Sequence, residues 1–109
     1  MGRESLGDFE QLVLLAVVRL RDDAYGMGVR REITERTGRE VSIGAVYATA
    51  ERLVEKGLLR AIDRRSQGDR ARRFFEVTRL GTERLAATRD EQNRMWTGVR
   101  LPRTGGGER

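Results

Sequence analysis

A single helix and the basic segment behind it constrain this chain more than any other feature. Between Ser42 and Leu59, the residues Ile43, Val46, Ala50, Leu53 and Val54 recur at spacings of three and four. That period gives a helix with one apolar stripe. Gly44, Ala45, Ala48, Thr49 and Arg52 fall on the other side, which is small and flat near its start. Tyr47 lies at the boundary between the two faces, where its ring can cover core edge or its hydroxyl can reach a phosphate. Ser42 is a good N-cap and Gly57 a natural stop. Leu58 to Ile62 then reads as a strand, and Arg72 to Val77 as its return. Six Arg and two Asp stand between Arg60 and Arg73, a net +4 in fourteen residues. A bare-faced helix followed by a basic hairpin predicts a winged helix-turn-helix, mainly α in class. It has three helices, a two-stranded wing and a further C-terminal helix.

The upstream segments fit that reading. Asp8, three residues before Gln11, reads as a capping-box variant opening a first helix. Phe9, Leu12, Val13, Ala16, Val17 and Leu20 repeat at helical spacing, and Leu14, Leu15 and Val18 carry the apolar surface around the cylinder. Such a helix has one face for its own domain and another for a partner, which points to a dimer. A second helix is expected from about Gly26 to Thr37, with Val29, Ile33 and Met27 inside and Arg30, Arg31, Glu32, Glu35 and Arg36 in water. Gly38 lies where a left-handed C-terminal glycine belongs, and Arg39 to Val41 complete a tight connection to Ser42.

Thr78 is placed to cap a fourth helix running to about Val99, with Gly81 as a mild weakness inside it. Its apolar residues are Leu85, Ala86, Met95, Trp96 and Val99, too thin a stripe for a monomer core. Domain boundaries follow: a leader over 1–7, the winged domain over 8–78, a dimerisation helix over 79–101, and a tail over 102–109. That tail, with three consecutive glycines, is expected to be disordered.

Charge and composition narrow the function classes. The net charge is +5. Residues 1–59 carry nine Lys and Arg against ten acids, whereas residues 60–109 carry thirteen Arg against seven. The basic excess sits in the wing half and favours a polyanionic partner. With no Cys and no His, disulfides, thiolate metal sites and the commonest general base are absent. No acid spacing suggests a metal or nucleophile site, so neither enzyme nor cofactor is expected. No apolar run approaches the ~20 residues a bilayer requires, and no signal peptide is expected.

A helix entering the major groove needs clearance, which Gly44, Ala45 and Ala48 supply. Ser42 and Thr49 offer hydroxyls, and Arg52 offers a fork for phosphate or guanine. In the wing, Arg64, Arg65, Arg70, Arg72 and Arg73 are the residues expected on the DNA backbone or in a minor groove. Leu12, Leu15, Leu85, Met95, Trp96 and Val99 are the expected dimer contacts.

Asp23-Ala24-Tyr25-Gly26, then Ser42 with Gly44-Ala45-Val46-Tyr47, then Arg52 to Leu58, then Arg72 to Thr78 with Gly81, occur in an order and spacing that resembles the PadR family of bacterial transcriptional regulators. The likeness is to its short members with one C-terminal helix and covers roughly residues 7 to 90. It implies a cytoplasmic homodimeric repressor on an inverted-repeat operator in double-stranded DNA. Ser42, Gly44, Ala45, Tyr47 and the wing arginines would contact that DNA. Dimerisation would use the first and last helices. In multidrug-sensing relatives an aromatic on the last helix stacks on planar ligands, and Trp96 is similar in placement. A dimeric sensor of a small hydrophobic effector, or a winged-helix protein-interaction module, is the alternative reading. Two positions depart from the family pattern: Ala50 stands for the usual leucine and Phe75 for the usual tyrosine.

Overall fold

Four helices and one hairpin surround a single apolar core in the computed structural model, which describes residues 6–65 and 71–103. The helices are α1 (Asp8–Leu20), α2 (Gly26–Thr37), α3 (Ile43–Glu55) and α4 (Arg79–Trp96); the strands are β1 (Leu59–Arg65) and β2 (Ala71–Val77). A short 3-10 turn, Arg21–Asp23, links α1 to α2. This is the winged helix-turn-helix expected from the periodicity, with both strands reaching one to three residues further than the pattern suggested.

α1 begins one residue earlier than expected. Gly7 is its N-cap, and the Glu10 carboxylate accepts the Gly7 backbone N–H at 3.0 Å. Lys56, at the end of α3, donates to the same carboxylate at 2.9 Å, fastening the start of α1 to α3. Val13, Leu14, Ala16 and Val17 then enter the core with Val29, Ile33, Val46, Ala50, Leu53, Leu58, Leu59 and Phe75. Leu14 therefore serves its own domain, while Leu15 and Val18 remain 40% and 42% exposed.

Two inner positions differ from expectation. Met27 is 43% exposed, because Gly26, Val29 and Ile33 already hold the buried stripe of α2. Thr49, expected on the outer face of α3, is 4% exposed. It follows Val46 by three residues and precedes Leu53 by four, so it widens the buried stripe; Arg52 Nη2 donates to its hydroxyl at 3.4 Å.

β1 and β2 pair antiparallel with Leu59 opposite Val77 and Arg64 opposite Arg72. Tyr25 bridges to Phe74, and the Phe75 N–H donates to the Ala24 carbonyl at 2.8 Å, so the turn before α2 lies along the edge of the wing. Thr78 caps α4 by accepting the Gly81 N–H at 3.0 Å. Gly81 is a requirement of the packing: a Cβ there would collide with the Leu58 carbonyl and stand 2.8 Å from Val77 Cγ2. α4 ends at Trp96, three residues short of Val99, which follows Gly98 at φ +81°. The loop tip with Arg70, the Arg65 side chain, residues 1–5 and the glycine-rich tail from 104 lie outside the described residues.

Candidate nucleic-acid interface

The N-terminal part of α3 presents the bare surface its sequence promised. Ser42 caps the helix by accepting the Ala45 N–H at 3.0 Å, and Gly44, Ala45 and Ala48 are exposed. A Cβ at Gly44 would meet nothing nearer than Ser42 Oγ at 4.0 Å. The fold itself has no use for glycine there, although glycine weakens a helix. Tyr47 is 36% exposed, and its ring lies over Gly26, where a Cβ would collide with it. The ring also meets Phe75 with centroids 6.4 Å apart. The ring therefore covers the seam between α2, α3 and β2, the first of the two roles considered for it, and the residue stays partly exposed.

Strand alternation sorts the wing arginines into two kinds. Arg73 points toward α3, where it donates to both Glu51 carboxylate oxygens at 2.6 and 3.0 Å and to Asp63 at 3.3 Å. Its ion pairs hold the Glu51 carboxyl below the usual carboxylate range and raise the Arg73 pKa further. This is a bidentate clamp between α3 and the hairpin. Arg64 and Arg72 occupy the opposite face, directly across from one another. The Arg64 guanidinium lies 4.1 Å from the Phe74 centroid, Phe74 is tilted against Tyr25 at 5.7 Å, and Arg72 lies 4.6 Å from the Tyr25 centroid. Among the described residues no carboxylate pairs with Arg64 or Arg72. Arg60, on the same face, is paired with Glu76 at 2.9 Å.

Arg52 is half-exposed and leans toward Glu10 of α1 at 4.0 Å. The structure therefore brings Ser42, Gly44, Ala45, Tyr47 and Ala48 together on α3 and places Arg72 in one cleft with Tyr47, with Arg64 across the hairpin from Arg72. It sets Arg52 and Arg73 in intramolecular roles. Sequence reasoning gave Tyr25 no role beyond its motif and set Arg30 in water, where the structure has it only partly exposed. Tyr25 is the aromatic on which the wing arginine rests. Arg30 donates to the Val41 carbonyl at 2.8 Å and so braces the turn of the helix-turn-helix. An aromatic directly before a helix start, with arginines bracketing it in sequence, was the available signal for Tyr25.

At the far end of the molecule, Met95, Trp96, Val99 and Leu101 are 77%, 59%, 50% and 67% exposed. Every residue from 89 to 103 is exposed. Leu12 and Leu85, by contrast, are partly covered by the domain's own core.

The sequence profile of the Transcriptional regulator PadR-like family matches residues 14–87. The chain belongs to this family. Solved PadR-family structures share its fold. A PadR family regulator from Clostridium difficile R20291 superposes with a TM-score of 0.71 at 20% identity, covering 84% of this chain and 93% of its own. A PadR-like regulator from Bacillus cereus gives 0.70 at 19%, covering 82% and 84%. One from Eggerthella lenta gives 0.67 at 25%, covering 82% and 78%. No curated protein sequence matches the chain. As a PadR-like protein it is a DNA-binding transcriptional regulator, and the family is not an enzymatic one. Among its described residues, no helix is long and apolar enough to cross a membrane.

Proposed function

We propose that this PadR-like regulator is a homodimeric repressor, acting in the cytoplasm on an inverted-repeat operator. The observation that carries the DNA-reading part is the pairing of two surfaces. The exposed small-residue start of α3 adjoins, through Tyr47, a wing face whose Arg64 and Arg72 have no carboxylate partner among the described residues. Gly44, Ala45 and Ala48 let the α3 backbone approach base edges in a major groove, with Ser42 at the mouth of the helix. Arg64 and Arg72, with Arg65 and Arg70 at the hairpin tip, supply phosphate or minor-groove contacts. Two copies would place their α3 helices about 34–36 Å apart, one turn of duplex.

Dimerisation is supported by the exposed second half of α4. A solvated helix of that length is not stable alone, and its Met95 and Trp96 are the kind of side chains interfaces bury. Leu15 and Val18 of α1 offer the complementary apolar face.

Selection of binding sites from random duplexes tests the reading. It should return a palindromic site, and binding should fall steeply with salt. Ala45→Trp should abolish preference for that site while circular dichroism stays unchanged. Undiminished operator affinity in that variant would sink the assignment of α3 to the groove.

A further inference from the structure

Cross-strand like charges are unfavourable in a hairpin, yet Arg64 and Arg72 face each other directly on the outer side of the wing. A third guanidinium converges on the same place. Arg31, from the second turn of α2, lines one cleft with Tyr25 and Arg72. Hydrogen bonding to Arg31 is the larger influence and, with that from Arg72, lowers the phenol's pKa. Asp23 and Glu35 lie close enough to Arg31 to be felt, but among the described residues neither forms an ion pair with it. The result is a ladder in which two touching aromatics stand between two arginines, Arg64, Phe74, Tyr25, Arg72, with Arg31 lining the cleft at the Tyr25–Arg72 end.

Beside this ladder lies an open cleft of about 450 Å³ lined by Tyr25, Met27, Arg31, Tyr47, Arg72 and Arg73. Tyr47 connects the cleft to the exposed start of α3. Of its three arginines, only Arg73 forms an ion pair among the described residues, with Glu51 and Asp63. The positive charge left over is held in a fixed geometry by rings and a phenol, groups that orient a guanidinium without neutralising it. Nothing in the fold needs two arginines gathered on one tyrosine. An anion with several acceptor oxygens does.

We infer that Tyr25, Arg31 and Arg72 form a clamp for one backbone phosphate of the bound duplex, at the shoulder where α2 meets the wing. This rests on the reading of the chain as an operator-binding regulator and extends its DNA contacts to α2. Arg31 and Arg72 donate to the phosphate oxygens, and Tyr25 is a positioning residue that keeps the two forks aimed together. The contact carries no base information.

The test uses the full-length chain and a set of operator duplexes, each with one neutral methylphosphonate linkage in place of a phosphate. Wild-type affinity should drop about 3- to 10-fold when the linkage lies at the clamped position, once in each half-site. Arg31→Ala should bind the unmodified operator and a random duplex weaker by a similar factor, and be indifferent to methylphosphonate at that position alone. Its salt slope should fall by about 0.9 for each phosphate that is no longer neutralised. Tyr25→Phe, which keeps the ring and its packing on Phe74, should lose part of the same effect, and Arg31→Lys should recover the salt slope but not the full affinity. If the wild type binds tightly while Arg31→Ala and Tyr25→Phe keep its affinity, slope and linkage sensitivity, the clamp is wrong and the regulator reading stands. If the wild type itself shows no salt-dependent duplex binding, both fall together.

Discussion

Adjacent residues in the wing, Arg72 and Arg73, carry the same charge and do opposite work, because a strand sends them to opposite faces. Arg73→Ala should leave Glu51 and Asp63 without their shared cation and loosen the hairpin from α3. Its main signature is a lower melting temperature. Arg72→Ala should leave the melting temperature close to wild type and weaken binding equally on operator and random DNA, with a shallower salt slope. Parallel thermal melts and salt titrations separate the two. Gly44 invites a different experiment. A Cβ there would meet nothing nearer than Ser42 Oγ at 4.0 Å, so Gly44→Ala should raise stability by about 0.5–1 kcal/mol, the usual helical preference for alanine. The same methyl would stand on the surface proposed to meet the groove, and operator affinity should fall. A variant that is more stable and binds as well as wild type would show that the glycine answers to neither.

The ionised Glu51 carboxylate adds a polar clamp to the apolar packing that joins helix α3 to the wing. The Arg73 guanidinium, hydrogen-bonded to it, holds the Glu51 carboxyl below its ordinary value. A carboxyl depressed in the folded state contributes stability above its unfolded pKa of about 4.3, and loses it as pH falls through the folded value. The contribution should be under about 1 kcal/mol, since both ends are about 40% exposed and screened by water. Glu51→Gln should therefore flatten the stability profile between about pH 5 and pH 3 and change its shape little above pH 6. Urea midpoints across that range would decide it. The elements themselves were largely legible. Ser42, Thr78 and Gly38 mark boundaries through local chemistry, and the apolar periods of α1 and α3 report burial directly. Thr49 and Met27 were misplaced because a 3.6-residue period cannot say how wide the buried stripe is; neighbouring elements settle that. Gly81 read as a weakness because a close approach by the Leu58 carbonyl leaves no local trace. Gly81→Ala should cost roughly 1–3 kcal/mol through overpacking, although alanine is the better helix former. The grouping of Tyr25 and Arg31 with Arg72 was not legible for a related reason, since it is made by the wing folding back against the start of α2.

On the scale of the whole molecule, the folded domain and the end of α4 obey different rules. The first half of α4 is tied down by Gly81 and the buried Thr88, while the second half touches the domain chiefly through the mutual 3.4 Å hydrogen bonds of Gln92 with Gln11. Two helical turns without tertiary cover should fray, unless a second copy lays its own apolar residues against Met95 and Trp96. Binding to a two-fold operator then depends on that same contact, because two linked α3 helices bind as one event whereas separate chains bind as two. Met95→Asp should shift the sedimentation coefficient from dimer to monomer and lower operator affinity far more than affinity for random DNA, leaving the melt of the winged domain cooperative. Trp96→Ala separates packing from sensing. If the ring only packs, the variant weakens the dimer in proportion to the buried area it removes and does nothing else. If it also receives a planar effector, wild-type indole fluorescence should be quenched by planar aromatic compounds at concentrations that release the operator, and a Trp96→Phe dimer should keep the operator but respond less to those compounds. A Met95→Asp chain that still sediments as a dimer and still prefers a palindrome would place the subunit contact elsewhere, on the exposed Leu15 and Val18 face of α1.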